Sequence, residues 1–188
     1  MSESVVGEPA LLETLKRVAT GLKRAGVEFA LGGGYAVYAR GGPKSEHDVD
    51  FVLREQDVER ALDVLTQDGL RPCRPPEDWL VKVYNGSHTV DLIYRLNGRE
   101  AEEFLRGADQ MEVGSVLMPV LSARALVTSR LRAFTEHNCD FGAVLPTVRA
   151  LREQVDWDAV RSDVAGSPYA QAFLTLVEEL HLLGEHAR

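Results

Sequence analysis

The stretch LGGGYAVYARGGPKSEHDVDF, residues 31–51, combines a glycine cluster with two closely spaced carboxylates and decides the fold. Asp48 and Asp50 lie among apolar residues typical of a strand, which places both on one face because strand side chains alternate with a period of two. Carboxylates this close repel each other unless a cation lies between them, and hard oxygen ligands suit Mg²⁺ or Mn²⁺. The pair therefore predicts a divalent-metal site, with acids in a solvated turn as the simpler alternative.

The glycine cluster Gly32, Gly33 and Gly34 predicts an anion site beside that metal. Without a Cβ, these residues let backbone N–H groups approach an anion closely at the start of the following helix, where the helix dipole favours negative charge. Arg40 and Lys44 flank the loop and are candidate phosphate ligands, although basic residues beside a turn are often only solvated. A metal beside an anion-binding turn predicts a bound nucleoside triphosphate (NTP).

A third acid, Asp91, lies in the middle of the β-branched and apolar segment 89–94. Such a segment predicts a buried strand, and an aspartate is rarely buried without a partner. The preceding strand, residues 79–84, connects to it through residues 85–88, which have the composition of a hairpin turn. A loop of two or four residues would put Lys82 on the face of Asp91, whereas a loop of three would not. Lys82 is thus a candidate phosphate ligand, with an ion pair to Asp91 or an ordinary surface position as alternatives.

Together these residues resemble the signature of the DNA polymerase β-type nucleotidyltransferase superfamily. The signature is an apolar residue before Gly and Gly or Ser, then Asp-apolar-Asp, then a third acid on a later strand, matched here by Leu31-Gly32-Gly33, Asp48-Val49-Asp50 and Val90-Asp91-Leu92. The resemblance implies that the three acids hold two divalent metals and that an NTP is the substrate. It also implies that Asp91 helps to deprotonate the acceptor hydroxyl.

Two branches of the superfamily are similar to this chain and imply different acceptors. The AbiEii-like and MenT-like toxins share the glycine motif, the paired acids, a Lys before the third acid and a helical C-terminal half; they imply transfer to the 3′ end of tRNA and an antitoxin partner. The antibiotic adenylyltransferases have a basic residue and a His before the paired acids, as Lys44 and His47 are here, and imply a small hydroxylated acceptor. Glu46 and Arg130 stand where the toxins often have Ser or Thr and Lys, respectively. A non-catalytic nucleotide-binding regulatory module is the third hypothesis.

The charge of the cleft is expected to decide between the acceptors. An acidic pocket beside the metals would favour a cationic small molecule, and an arginine-lined cleft would favour tRNA. Arg124, Arg130 and Arg132 either line the edge of a helix that faces the cleft or cover its exposed side. The formal net charge of −8 argues against a general electrostatic grip on nucleic acid but leaves room for a local basic groove. His47 is expected on the opposite strand face from Asp48, as a structural histidine.

The order of elements predicts an α/β (α+β) fold, with a small mixed β-sheet flanked by helices and a C-terminal helical region. Residues 71–76 contain three prolines and predict a loop, because proline can neither donate to a strand ladder nor continue a helix. Residues 100–107 predict a helix, and Val113 with residues 116–118 predicts a short edge pair.

Length and composition agree with a small enzyme of 188 residues. Everything after Pro119 predicts helix, which divides the chain into a nucleotidyltransferase catalytic domain, residues 1–118, and a C-terminal helical region packed on it, residues 119–188. Residues 1–4 do not begin a basic leader, and the sequence contains no apolar run long enough to span a bilayer. The protein is therefore predicted to be cytoplasmic, without a membrane partner.

Overall fold

A seven-stranded mixed β-sheet is the centre of the described part of the chain, which in a computed structural model comprises residues 7–45 and 47–183, with side chains described from residue 10. The predictions made on residues 1–4 and on Glu46 lie outside the described residues. The strands are β1 (Phe29–Leu31), β2 (Asp48–Leu53), β3 (Arg71–Cys73), β4 (Leu80–Asn85), β5 (His88–Ile93), β6 (Arg95–Leu96), β7 (Arg99–Glu100), β8 (Asp109–Val113) and β9 (Val116–Val120). The large sheet has the order β3-β4-β5-β2-β1-β9-β8, and β6 pairs with β7 in a separate hairpin. Strand β2 is parallel to β5, and β1 is parallel to β9.

Helices flank this sheet, as the sequence predicted. They are α1 (Gly7–Arg24), α2 (Gly33–Ala39), α3 (Val58–Gln67), α4 (Glu102–Leu105), α5 (Ala123–Arg132), α6 (Phe141–Leu151), α7 (Trp157–Asp163) and α8 (Pro168–Glu179). Helix α1 contacts α3, whereas α5 contacts α2 and the three helices that follow it. No helix in the described part of the chain is long and apolar enough to cross a membrane. The mixed sheet and the helices that flank it confirm the predicted α/β fold class.

The central strands are held in place by apolar side chains on the face of β2 that is opposite to its carboxylates. Val49 and Phe51 are fully buried, and the ring of Phe51 meets that of Phe29 edge to face, with centroids 5.4 Å apart. Because the side chains of β2 alternate, burying these two residues turns Asp48 and Asp50 together toward the other face. The core thus fixes the direction of the paired acids.

The C-terminal helices start at residues whose side chains satisfy free backbone N–H groups. The capping side chains, each of which accepts from the N–H three residues later, are Ser122, Asp140, Asp156 and Ser167. Asp156 precedes the first residue of α7, and Ser167 precedes Pro168, the first residue of α8, where proline is favoured. Strand β9 runs through residues 118 and 119, and helices follow it. The division of the chain near Pro119 stays a prediction.

Three local predictions were wrong. Residues 71–73 form strand β3 and not a loop, and Pro72 lies opposite Val83. The proline is tolerated because β3 is an edge strand and pairs with β4 alone, so its missing N–H does not interrupt pairing with a second strand. The helix predicted over residues 100–107 is shorter, since a hairpin precedes it that turns at Asn97-Gly98 with positive φ at both residues. Asn-Gly is a strong hairpin signal, so the sequence contained this information.

The third correction concerns the pair of strands around Gly114-Ser115. Both strands are longer than predicted, and only β8 lies at the edge of the sheet. Strand β9 also pairs with β1, where Leu31 lies opposite Val120. This pairing connects the strand that leads into the glycine turn to the segment that leads into α5, and it positions the two sides of the cleft described below.

Candidate active site

The three predicted acids meet at one point of the sheet. In the parallel pairing of β2 with β5, Asp50 lies directly opposite Asp91, and Asp48 follows on the same face by alternation. One carboxylate oxygen from each residue lies within 4.8 Å of the others. Asp48 and Asp50 are partly exposed, whereas Asp91 is buried. Three converging carboxylates are a donor set of hard oxygens that fits a divalent cation such as Mg²⁺.

The electrostatics of this cluster favour a bound cation. Desolvation in the cleft and, after it, the charges of Asp48 and Asp91 raise the pKa of Asp50 from 3.8 to about 7. The positive charges of Lys82 and Arg130 lower this pKa, but by less. Like-charged carboxylates forced together in this way are a recognised feature of functional sites, and a cation would remove the repulsion.

The glycine turn lies directly on the paired acids. The backbone N–H of Gly32 donates to the carbonyl oxygen of Asp50 at 2.8 Å. Gly33 has a φ of +55°, and a Cβ at this position would lie 2.5 Å from Cγ of Asp50. A Cβ on Gly34 would lie 2.9 Å from Cβ of Ser45. Only glycine allows this approach, so the predicted glycine cluster and the predicted acids form one site.

Lys82 is paired with the third acid. The β4–β5 hairpin has a two-residue loop, because Asn85 pairs with His88, and this places Lys82 directly opposite Asp91. Its Nζ donates to both carboxylate oxygens of Asp91 at 2.8 Å. Burial lowers the pKa of Lys82, but its hydrogen bond to Asp91 and the charge of Asp91 together raise it above the usual value. The lysine is therefore a charged partner of Asp91 in this structure, which is one of the alternatives that the sequence left open.

A cleft of about 560 Å³ lies over the acids. The glycine turn, Asp48 and Asp50 line it, together with Lys44 and His47, both of which are exposed. The sequence placed His47 on the strand face opposite Asp48, but His47 precedes the first residue of β2 and lines the same cleft as Asp48. The residues of the cleft that sequence reasoning missed include Ser45, Trp79, Ile93, Leu96, Leu126 and Thr147. No pattern in the sequence distinguished these residues, but in the structure Trp79 is conspicuous, because 41% exposure is unusual for so large an apolar side chain.

Arg40 is not brought to the cleft. Its Nε donates to the carbonyl oxygen of Leu121 at 2.7 Å, and its Nη2 contacts the carboxylate of Asp109 at 2.5 Å and the carbonyl oxygen of Val120 at 3.2 Å. The side chain is only 7% exposed. The guanidinium therefore joins the end of α2 to β8 and β9, which corrects its predicted position beside the nucleotide.

The three arginines of α5 point in different directions. Arg124 forms two hydrogen bonds with the carboxylate of Asp163 at 2.8 and 2.9 Å, and Arg132 donates to the carbonyl oxygen of the same residue. Arg130 lines the cleft, where burial lowers its pKa and the charge of Asp50 partly offsets that effect. Leu126, four residues before Arg130, lines the cleft as well, as the helical period requires.

The fold and the site together define a nucleotidyltransferase. A sequence-family profile described as aminoglycoside-2''-adenylyltransferase matches residues 14–94, which include the glycine turn and all three acids. No curated protein sequence matches the chain. The profile match, the fold and the motifs agree with the predicted resemblance to the DNA polymerase β-type nucleotidyltransferase superfamily, and they identify the chain as an NTP-dependent nucleotidyltransferase. The hypothesis of a non-catalytic module is therefore set aside.

Proteins of known structure with a similar fold have different names and ligands. The crystal structure of ANT(2'')-Ia in complex with adenylyl-2''-tobramycin has a TM-score of 0.65 and 13% identity, and the match covers 88% of this chain and 98% of that one. The lincomycin-bound lincosamide antibiotic adenylyltransferase LnuA has a TM-score of 0.53 and 13% identity, with 79% and 98% covered. The Megavirus polyadenylate synthase has a TM-score of 0.53 and 13% identity, with 82% and 32% covered. Such low identities show the fold alone, so the acceptor must be argued from the site.

Proposed function

We propose that the protein transfers a nucleoside monophosphate from an NTP to a hydroxyl group of a small-molecule acceptor, in a reaction that depends on Mg²⁺ or Mn²⁺. The observation that supports this most directly is the convergence of Asp48, Asp50 and Asp91 within 4.8 Å beside the glycine turn. A divalent cation on these oxygens would neutralise charge on the triphosphate and on the acceptor oxygen. The residues of the chain then have to position the two reactants.

In this proposal each part of the site has a separate task. The backbone N–H groups at Gly33 and Gly34 hold the terminal phosphates, because no side chain blocks their approach. The acceptor oxygen attacks the α-phosphorus and forms the new P–O bond, while the bond to the leaving pyrophosphate breaks. Asp91 takes the proton of the acceptor hydroxyl, and Lys82 holds the carboxylate of Asp91 in position through its two hydrogen bonds.

Arg130 is the better placed of the basic residues to contact the phosphates. Its guanidinium is desolvated in the cleft and faces Asp50, whereas Nζ of Lys82 is already engaged with both oxygens of Asp91. A guanidinium suits phosphate oxygens because its donors lie in one plane. The direct contact of Lys82 with phosphate stays a prediction, as does that of Lys44.

Three observations support a small acceptor. The cleft of about 560 Å³ has the size of a small-molecule site. Of the three arginines on α5, only Arg130 lines it, so the arginine-lined cleft that would indicate tRNA is not formed by that helix. ANT(2'')-Ia with its adenylylated tobramycin and LnuA with lincomycin also contain small hydroxylated antibiotics. Transfer to the 3′ end of tRNA, an antitoxin partner and a cytoplasmic location stay predictions.

The test is the transfer of label from each α-labelled NTP, with Mg²⁺, to tobramycin, lincomycin and total tRNA in separate reactions. Label on a small molecule that is lost in Asp48→Asn would support the proposal, because this substitution removes a metal ligand but little volume. Label on tRNA alone would overturn the proposed acceptor. Full activity of Asp48→Asn, or equal activity with EDTA, would overturn the metal-dependent mechanism.

A further inference from the structure

One end of the cleft is apolar, and it lies next to the carboxylates. On the face of β2 and β5 that holds the acids, the next residues are Val52 and Ile93, which pair directly with each other. This pair lies about 7 Å further along the strands than Asp50 and Asp91. The residues that we call the apolar end all line the cleft: Val52, Trp79, Ile93, Leu96 and Leu126.

Most of the apolar end lies on the opposite side of β2 from the glycine turn. In the sheet order, β1, which leads into the turn, is one neighbour of β2, and β5, which carries Ile93, is the other. Two backbone N–H groups just after β5 donate to the carbonyl oxygen of Trp79, which places Trp79 beside the end of β5. Val52, on β2 itself, lies closer to the turn, since a Cβ on Gly32 would lie 3.6 Å from its Cγ2. In an in-line displacement the acceptor oxygen enters opposite the departing pyrophosphate, so the side of Trp79 and Ile93 is the one from which the acceptor has to arrive.

The charges along the cleft do not suit a polycation. Among the described residues that line it, the carboxylates are those of Asp48 and Asp50, which the proposed metal would occupy. The basic residues Lys44 and Arg130 line the same cleft. An acceptor with several ammonium groups would find no further carboxylate among the described lining residues to replace its lost hydration, and desolvating an unpaired charge is unfavourable.

We propose that the acceptor is a hydroxylated small molecule with an apolar face and few or no charged amines, and that this face lies against Trp79, Ile93 and Leu96. The inference rests on the proposed function and names its substrate class. Trp79 is the part of the apolar end most open to a ligand, because its side chain is 41% exposed and Val52 and Ile93 form the buried floor. An indole ring can cover the apolar face of a sugar or another ring while hydroxyl groups reach toward Asp91.

A calorimetric titration tests this with matched probes. The full chain is saturated with Mg²⁺ and α,β-methylene-ATP and titrated with octyl β-D-glucoside below its micelle concentration, methyl β-D-glucoside, or a polycationic aminoglycoside. The two glucosides carry the same sugar hydroxyls and differ in their apolar part. We expect the octyl glucoside to bind at least about tenfold more tightly than the methyl glucoside, and also more tightly than the aminoglycoside.

Two variants locate the binding. Trp79→Ala should weaken octyl glucoside binding by about tenfold and leave the affinity for the nucleotide analogue unchanged. Tyr38→Ala is the matched control, because Tyr38 is an aromatic residue with 44% exposure that does not line the cleft. Equal binding of both glucosides, tighter aminoglycoside binding, or a loss of nucleotide affinity in Trp79→Ala would overturn the inference. The glucosides are also titrated without nucleotide, so that absent nucleotide binding would count against the proposed function alone.

Discussion

The two sides of the cleft are built in different ways. The floor consists of strands β2 and β5, where the register of the parallel pair fixes Asp50 opposite Asp91. The opposite wall includes α5, where Arg130 and Leu126 face the cleft because of how that helix packs. In paired strands a shift of the register by one residue would turn every side chain to the opposite face, so the register fixes the side-chain directions. A helix, in contrast, can rotate or shift slightly and change which residues face the cleft. We infer that the floor carries the chemistry and that the wall contributes Arg130 to the binding of the NTP.

The largest expected effect on transfer comes from neutralising a carboxylate of the floor. Asp50→Asn should reduce nucleotidyl transfer by at least about 100-fold, because a lost metal ligand costs more than the loss of an outer-shell partner. The chain should still fold, since the substitution also removes the repulsion from Asp48 and Asp91. Initial rates with Mg²⁺ and the melting temperature in EDTA measure both effects. Wild-type rates in the variant would show that Asp50 is not a ligand.

Gly33 tests whether the glycine turn and the carboxylates are one unit. Gly33→Ala should reduce transfer by about 100-fold, because the added Cβ has to displace the carboxylate of Asp50. Gly26→Ala is the matched control: Gly26 has a φ of +65°, close to the +55° of Gly33, but a Cβ there would meet nothing within 4 Å. Both variants share the backbone strain of about 1 kcal/mol. Similar rates in the two variants would show that the contact with Asp50 is unimportant.

The wall can be tested separately through its arginine. Arg130→Met should raise the KM for the NTP by about tenfold, through the loss of a charged contact with phosphate, and change the acceptor KM little. Arg124→Met is the control on the same helix, since Arg124 pairs with Asp163 outside the cleft. That exposed pair contributes at most about 1 kcal/mol to stability. If the two variants behaved alike in steady-state kinetics, Arg130 would have no specific role.

The same contrast explains what the sequence could and could not predict. Asp48 and Asp50 on one face, and Lys82 opposite Asp91, follow from the two-residue period of strands and from the length of one hairpin. The first follows from the sequence alone, whereas the second depends on the loop length, which the sequence left open and the structure shows to be two residues. The direction of Arg130 on α5 depends on packing between distant segments, and no local pattern distinguishes it from its neighbours.

The predicted position of Arg40 was wrong because its contacts also depend on distant segments. It lies close in sequence to the glycine turn, which suggested a phosphate ligand, yet its guanidinium binds the carbonyl oxygens of Val120 and Leu121, about 80 positions later in the chain. These acceptors become available only because β9 lies beside β1 in the folded sheet. The local pattern therefore predicted which side chains share a face of each floor strand, but proximity in sequence did not predict the side chains that join distant elements.

The smallest expected effect is on the pH dependence of the floor itself. In the absence of a cation the pKa of Asp50 is about 7 in the folded chain, against its ordinary value of 3.8, so the folded state retains the proton longer than the unfolded state does. Stability should therefore be lost as the pH rises from about 4 to 7. Mg²⁺ competes with that proton, so the increase in melting temperature caused by Mg²⁺ should be small at pH 5.5 and grow to a plateau near pH 8. Asp50→Asn should remove the growth with pH, and a Mg²⁺ effect that is independent of pH in the wild type would show that Asp50 does not bind the cation.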